Sequence, residues 1–131
     1  MDKLFIPGTK STPEVDFNPE TMTLSLKGQS YPENSFKFYE PVMEWVDLFF
    51  ANAGGGEVSI RFSLPYINTS SSKCIMTLLE KFDLYFADGQ KLHLYWYYNK
   101  ENESELECAE EFKEDLSFPF DVIPKEEEES C

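Results

Sequence analysis

Two stretches, EVSIRFSL (57–64) and KLHLYWYY (91–98), alternate apolar and polar side chains without interruption. In the first, Val58, Ile60, Phe62 and Leu64 fall on one side and Ser59, Arg61 and Ser63 on the other. In the second, Leu92, Leu94, Trp96 and Tyr98 oppose His93, Tyr95 and Tyr97. A period of two is the signature of a strand, and a single apolar face means that such a strand is covered on one side only. The covering layer is legible as well. Tyr39, Val42, Met43, Val46, Phe49 and Phe50 recur at helical spacing before the first strand, and Ile75, Leu78, Leu79, Phe82 and Phe86 do so between the two. Strands with one apolar face alternating with amphipathic helices predict an α/β two-layer sandwich, a mixed sheet with its helices mainly on one face.

The flanks fit this plan. VDFNPETMTLSLKG alternates around a turn at Asn18 and Pro19, with Met22, Leu24 and Leu26 on one side, and predicts an N-terminal β-hairpin. Pro41 suits the first turn of the first helix, and Gly54 to Gly56 end that helix. ADGQ stops the second. NESELECAEEFKEDL reads as an acidic helix with Cys108, Phe112 and Leu116 inward, and FPFDVI as a last strand that Pro119 places near a sheet edge. The expected order is β-β-α-β-α-β-α-β in one domain, residues 1–124. Residues 125–131, KEEEESC, form an acidic tail expected to be solvated and disordered.

Charge narrows the partners. The formal net charge is −14, and residues 101–131 carry 13 of the 25 acidic side chains against only Lys113 and Lys125. No stripe of Lys and Arg is available to neutralise phosphates, which argues against nucleic acid and against an anionic membrane surface as ligand. A protein partner is the expectation. Aromatics make up 16% of the chain, enough to build a core in spite of the charge. Three cysteines without paired spacing suit a reducing compartment, with Cys74 and Cys108 as apolar fillers. No run approaches the roughly 20 apolar residues of a membrane span, and the N-terminus lacks a signal-peptide core. The expected location is the cytoplasm, without membrane insertion.

Catalytic inventory is thin. His93 is the single histidine, on the polar side of a strand, and reads as an ordinary surface or half-buried ring. No metal-ligand spacing, nucleophile and base pair or phosphate-cradling glycine loop is present, so neither a metal, a cofactor nor an enzymatic activity is expected. An enzyme or small-ligand reading would need a concave pocket on the open sheet face near Arg61, His93, Tyr95 and Tyr97. Tyr31, Phe38 and Trp45 lie off the main apolar stripe. They are candidates for partner docking, against the plainer reading of a wide core face.

One stretch remains. In YINTSSSKCIMTLLEKF (66–82), Thr69, Ser70, Ser71 and Ser72 follow one another in a strand-to-helix loop, ahead of a helical stripe beginning near Ser72. A hydroxyl there can cap the helix, but one cap suffices. A phosphate there would meet free helix N–H groups and the positive end of the helix dipole. Local chemistry leaves both readings open.

The pieces IPGTKSTPEVDF, GQSYPENSFKFYEPVMEWV, YINTSSSK and EEFKEDLSFPFDV, in that order and at these spacings, closely resemble the SiaC family of bacterial regulatory phosphoproteins over nearly the whole chain. The resemblance implies a STAS-like fold related to the anti-sigma-factor antagonists. It implies phosphorylation of Thr69, the threonine of NTSSSK, by a cognate serine/threonine kinase, with Ser70 as the competing acceptor and Asn68, Ser71, Ser72 and Lys73 around it. It also implies dephosphorylation by a PPM-type phosphatase, and binding of the unmodified form to a diguanylate cyclase, a GGDEF protein, which it activates in cyclic-di-GMP and biofilm signalling. The alternative of the same class is an anti-sigma-factor antagonist in a partner-switching module.

Overall fold

The structure, a computed structural model, describes residues 1–125. These residues form strands β1 (Leu4–Ile6), β2 (Glu14–Asn18) and β3 (Thr23–Lys27), then helix α1 (Ser35–Asn52), β4 (Val58–Ser63), α2 (Thr69–Ala87), β5 (Leu92–Asn99), α3 (Glu103–Lys113) and β6 (Phe120–Lys125). The strands make one sheet in the order β1-β2-β3-β4-β5-β6. The pairs β1–β2 and β2–β3 are antiparallel, and β3–β4, β4–β5 and β5–β6 are parallel.

Handedness explains why the helices share a face. Each of the three helices links neighbouring parallel strands, and every crossover steps the same way along the sheet. A right-handed rule applied to a sheet that never reverses direction puts all its helices on one side. The sequence obeys: Leu24, Leu26, Ile60, Phe62, Leu94 and Trp96 point to the helices and are buried, as are Val42, Val46 and Phe49 of α1 and Ile75, Leu78, Leu79 and Phe82 of α2. The opposite face carries Ser25, Arg61 and Tyr95 in one cross-strand row, flanked by Asp16 and Asp121, and is uncovered.

Several local expectations need correction. Strand β1 is additional to the predicted set; at three residues it is too short to show a period, and its pairing with Val15 to Phe17 creates it. Met22 is not in the hairpin's second strand but in the turn before it, with φ +57°. Pro41 lies inside α1, since Asn34 caps the helix at Ser35. Its missing N–H deprives the Lys37 carbonyl of an intrahelical donor, and exposure of both residues lets water replace it. Leu116 follows α3 and is half-buried, whereas Ala109 and Phe112 are the buried residues of that helix. Lys125 closes β6 and so belongs to the domain rather than to the tail. The rest of the tail, with Cys131, lies outside the described residues.

Asp47 of α1 ties the two long helices together, accepting from Lys81 Nζ at 2.9 Å and from the Tyr85 hydroxyl at 2.6 Å, both on α2. Desolvation pushes the Asp47 carboxyl up, but the Tyr85 and Lys81 hydrogen bonds and the Lys81 charge outweigh it, leaving a net downward shift. A carboxyl depressed on folding stabilises above its unfolded pKa and loses that contribution as the pH falls through the folded value. Because Asp47 is 47% exposed, the effect is small. Asp47→Asn should cost less than about 1 kcal/mol at neutral pH, and the deficit should vanish in acid, below the ordinary carboxylate range. Thermal melts of both proteins at neutral and acidic pH test this; a deficit that persists in acid would assign the effect to packing.

Candidate functional site

The four hydroxyls of the TSSS run meet different fates. Helix α2 begins at Thr69, three residues before the expected start, because Asn68 is its cap: the Asn68 side chain accepts from the Ser71 N–H at 2.9 Å. No serine or threonine of the run is needed for that task. The Asn68 carbonyl accepts the first intrahelical bond, from the Ser72 N–H. The N–H groups of Thr69 and Ser70 therefore precede any intrahelical acceptor.

The serines serve a tertiary purpose instead. Ser71 is fully buried and touches Ser30 Oγ at 2.8 Å and Ser35 Oγ at 3.1 Å. Ser30 also meets the Tyr39 hydroxyl at 2.7 Å, and Ser35 meets Ser70 Oγ at 2.7 Å. One arrangement of protons satisfies every link: Tyr39 donates to Ser30, Ser30 to Ser71, Ser71 to Ser35, Ser35 to Ser70, and Ser70 to Asn68 Oδ1 at 3.4 Å. Burial, partly offset by the Ser30 bond, pushes the Tyr39 phenol up to about 12, so it holds its proton and can head the chain. Gly28, at φ +123°, turns the chain out of β3 toward Ser30. The backbone then fixes Ser30 beside α2, its N–H donating to the Tyr66 carbonyl and its carbonyl accepting from the Asn68 N–H. The starts of α1 and α2 are thus bolted together through side chains.

Thr69 stands outside this chain. It is exposed, in the first position of α2, and its hydroxyl has no partner among the described residues. Ser72 is half-buried and lines a hollow of about 270 Å³ with Lys73, Met76, Cys108, Glu111 and Phe112, where the Glu111 carboxylate of α3 opposes further negative charge. Lys73 is exposed one turn from Thr69. Of the four hydroxyls, Thr69 is the exposed one; Ser70 and Ser72 are half-buried and Ser71 is buried.

The aromatic candidates separate. Trp45 is buried rather than displayed: it is 9% exposed, stacked on Phe49 at 5.0 Å, and its indole N–H donates to the Asp2 carbonyl at 2.9 Å. The N-terminal segment covers a position that helical periodicity places off the core stripe. Phe38 is half-buried, edge-on to Tyr39 at 4.9 Å, and Tyr31 is half-buried, edge-on to Tyr66 at 5.8 Å. The exposed aromatics beside the hydroxyl chain are Phe36 and Tyr66, which the periodicity does not single out. Phe36 follows Ser35 directly and lines a groove of about 340 Å³ between α1 and α2 with Tyr39, Met43 and Cys74. His93 pairs with Asp121 at 2.7 Å and stacks on Tyr95 at 4.3 Å. Burial pushes the Cys74 and Cys108 thiols up, the nearby Glu111 and Glu105 adding to the effect at Cys108, so both are poor nucleophiles. Among the described residues no cluster of His, Cys, Asp or Glu could hold a metal ion, and no helix is long and apolar enough to cross a membrane.

The chain belongs to the SiaC family of regulatory phosphoproteins, whose family model matches residues 6–125. It is 40% identical over 127 residues to a protein of Pseudomonas aeruginosa (strain UCBPP-PA14), covering 97% of this chain and 100% of that one. Among solved structures, apo-SiaC of Pseudomonas aeruginosa superposes with a TM-score of 0.88 at 40% identity, covering 94% of this chain and 99% of that one. SiaC in the complex of diguanylate cyclase SiaD with its activator SiaC, from the same organism, gives 0.89 at 40% identity, over 93% and 99%.

Proposed function

We propose that this protein is a non-enzymatic regulator whose unmodified form binds and activates a diguanylate cyclase, and that phosphorylation of Thr69 by a serine/threonine kinase ends the interaction until a PPM-type phosphatase reverses it. The carrying observation is the isolation of Thr69: exposed, at the first position of α2, and outside the hydroxyl chain that engages Ser70 and Ser71. The full-length relative crystallised as a cyclase activator supports the choice of partner.

A phosphate on Thr69 adds about −1.5 to −2 charge where unpaired helix N–H groups can receive it, so the fold should tolerate it. A partner surface that packs on an uncharged Thr69 would have to desolvate that charge, which reverses binding without refolding. The test has two arms. Incubation with the cognate kinase and ATP, followed by mass spectrometry, should place the phosphate on Thr69; phosphate confined to Ser70, Ser71 or Ser72 overturns the assignment. Cyclase titrations should show at least about a tenfold loss of affinity on phosphorylation, or 1.4 kcal/mol, with Thr69→Ala still binding and helix content unchanged. Equal affinity of the modified and unmodified forms rejects the mechanism.

A further inference from the structure

The uncovered sheet face carries an unexpected feature for a chain of net charge −14. Lys27 of β3, Arg61 of β4 and Lys125 of β6 line one concavity of about 380 Å³, together with the hydroxyls of Ser25, Ser63 and Tyr97. None of the three cations makes an ion pair among the described residues. Two acids of the same face are otherwise engaged: Asp16 pairs with Lys3 at 3.4 Å and Asp121 with His93 at 2.7 Å. Glu14 sits opposite Lys27 in register but forms no bridge to it. In the adjoining hollow of about 250 Å³, Glu105 accepts from the Asn99 N–H at 3.1 Å.

Two of the cations are held in place. Arg61 donates to the Tyr97 hydroxyl at 3.2 Å, and its guanidinium lies 5.5 Å from the Tyr95 ring centre, a cation–π position that fixes the plane of the fork. Lys125 donates to Ser63 Oγ at 2.6 Å. We infer that this concavity binds the phosphate group of a small phosphorylated molecule, with Arg61 as the bidentate anchor, Lys27 and Lys125 as flanking charges, and Ser25, Ser63 and Tyr97 as hydroxyl donors. Donors converging from four strands suit a tetrahedral dianion with several acceptor oxygens better than a planar carboxylate. The volume of this open concavity is within the range of small-ligand pockets. The site lies on the sheet face away from the helices and is independent of the role proposed for Thr69.

The test is a ¹⁵N-HSQC titration of the full chain, so that Glu126 to Glu129, which follow Lys125 in sequence, are present as competitors. The probes are inorganic phosphate, glycerol phosphate and succinate at matched ionic strength. Both phosphates should shift the amides of Lys27, Arg61, Ser63, Tyr97 and Lys125 along saturable curves with a Kd of about 1 mM or below. Tighter binding of glycerol phosphate would extend the site into the adjoining hollow, and equal binding would confine it to the phosphate. Arg61→Gln should weaken both at least about tenfold with an unchanged melting temperature, and Lys113→Gln, at the end of α3, should change neither. Unsaturated drift, an equal response to succinate, or full binding by Arg61→Gln overturns the assignment.

Discussion

Trp96→Ala should destabilise this protein by about 3–5 kcal/mol, the upper end for a single core truncation. Trp96 is 1% exposed at the middle of β5 and is touched from three directions: Phe62 at 5.5 Å, Phe112 at 5.3 Å and Phe120 at 6.0 Å. Phe112 and Ala109 are the buried residues of α3, so Trp96 is the surface on which that acidic helix rests. Its removal opens a cavity under a helix that has few apolar contacts with which to collapse. A loss of that size is a large fraction of the about 5–15 kcal/mol that holds a domain of this kind. At roughly 3–5 °C per kcal/mol for this length, the melting temperature should fall by about 10–20 °C. Urea unfolding should give the loss directly, and Trp96→Phe should recover more than half of it. A loss under about 1 kcal/mol for the alanine variant would show that α3 docks by other means.

Ser71→Ala should cost about 2–3 kcal/mol, unusual for the removal of a single oxygen. The residue is fully buried, and its hydroxyl both accepts from Ser30 and continues the chain to Ser35. Without it the Ser30 proton is left in a closed interior with no acceptor, and the full desolvation penalty applies rather than the modest net value of one hydrogen bond. Thr69→Ala, two residues away, exposed and outside the chain, should change stability by less than about 0.5 kcal/mol. Denaturant unfolding of the two variants side by side is the measurement. Equal effects would mean that water enters at Ser71 and that the hydroxyl chain does not secure the helix start.

The contrast between these two neighbours marks the boundary of what could be read from sequence. Strands β4 and β5 were plain because alternation is a local property, and so were the core faces of α1 and α2. Ser and Thr as caps put the start of α2 too late, and Pro41 as a first-turn residue does the same for α1, whereas Asn34, Asn68 and Asn102 cap α1, α2 and α3. An asparagine ahead of each helix was the available signal. The use of Ser71 had no local signal, since its partners Ser30 and Ser35 lie 41 and 36 residues away in the chain. The burial of Trp45 had no local signal either: the carbonyl that holds its indole belongs to Asp2, 43 residues earlier. Thr69 was singled out by resemblance to a family, and its exposure became visible only once the serines around it had been assigned their partners. The concavity at Arg61 lay on the face where the sequence located the only room for a ligand, but its three cations come from strands far apart in the chain.

The strand order, β1 to β6 without a single exchange, bears on how the protein is made. Each strand pairs with the one synthesised immediately before it, so no gap in the sheet waits for a later segment to be inserted. Loop closure is confined to single crossovers, the topology that keeps the search short. Emerging from the ribosome, the chain can add one strand and helix at a time to a growing edge, so that at every stage one edge is β1 and the other is the newest strand. At the β6 edge Pro124 interrupts the row of backbone donors, which discourages further pairing there.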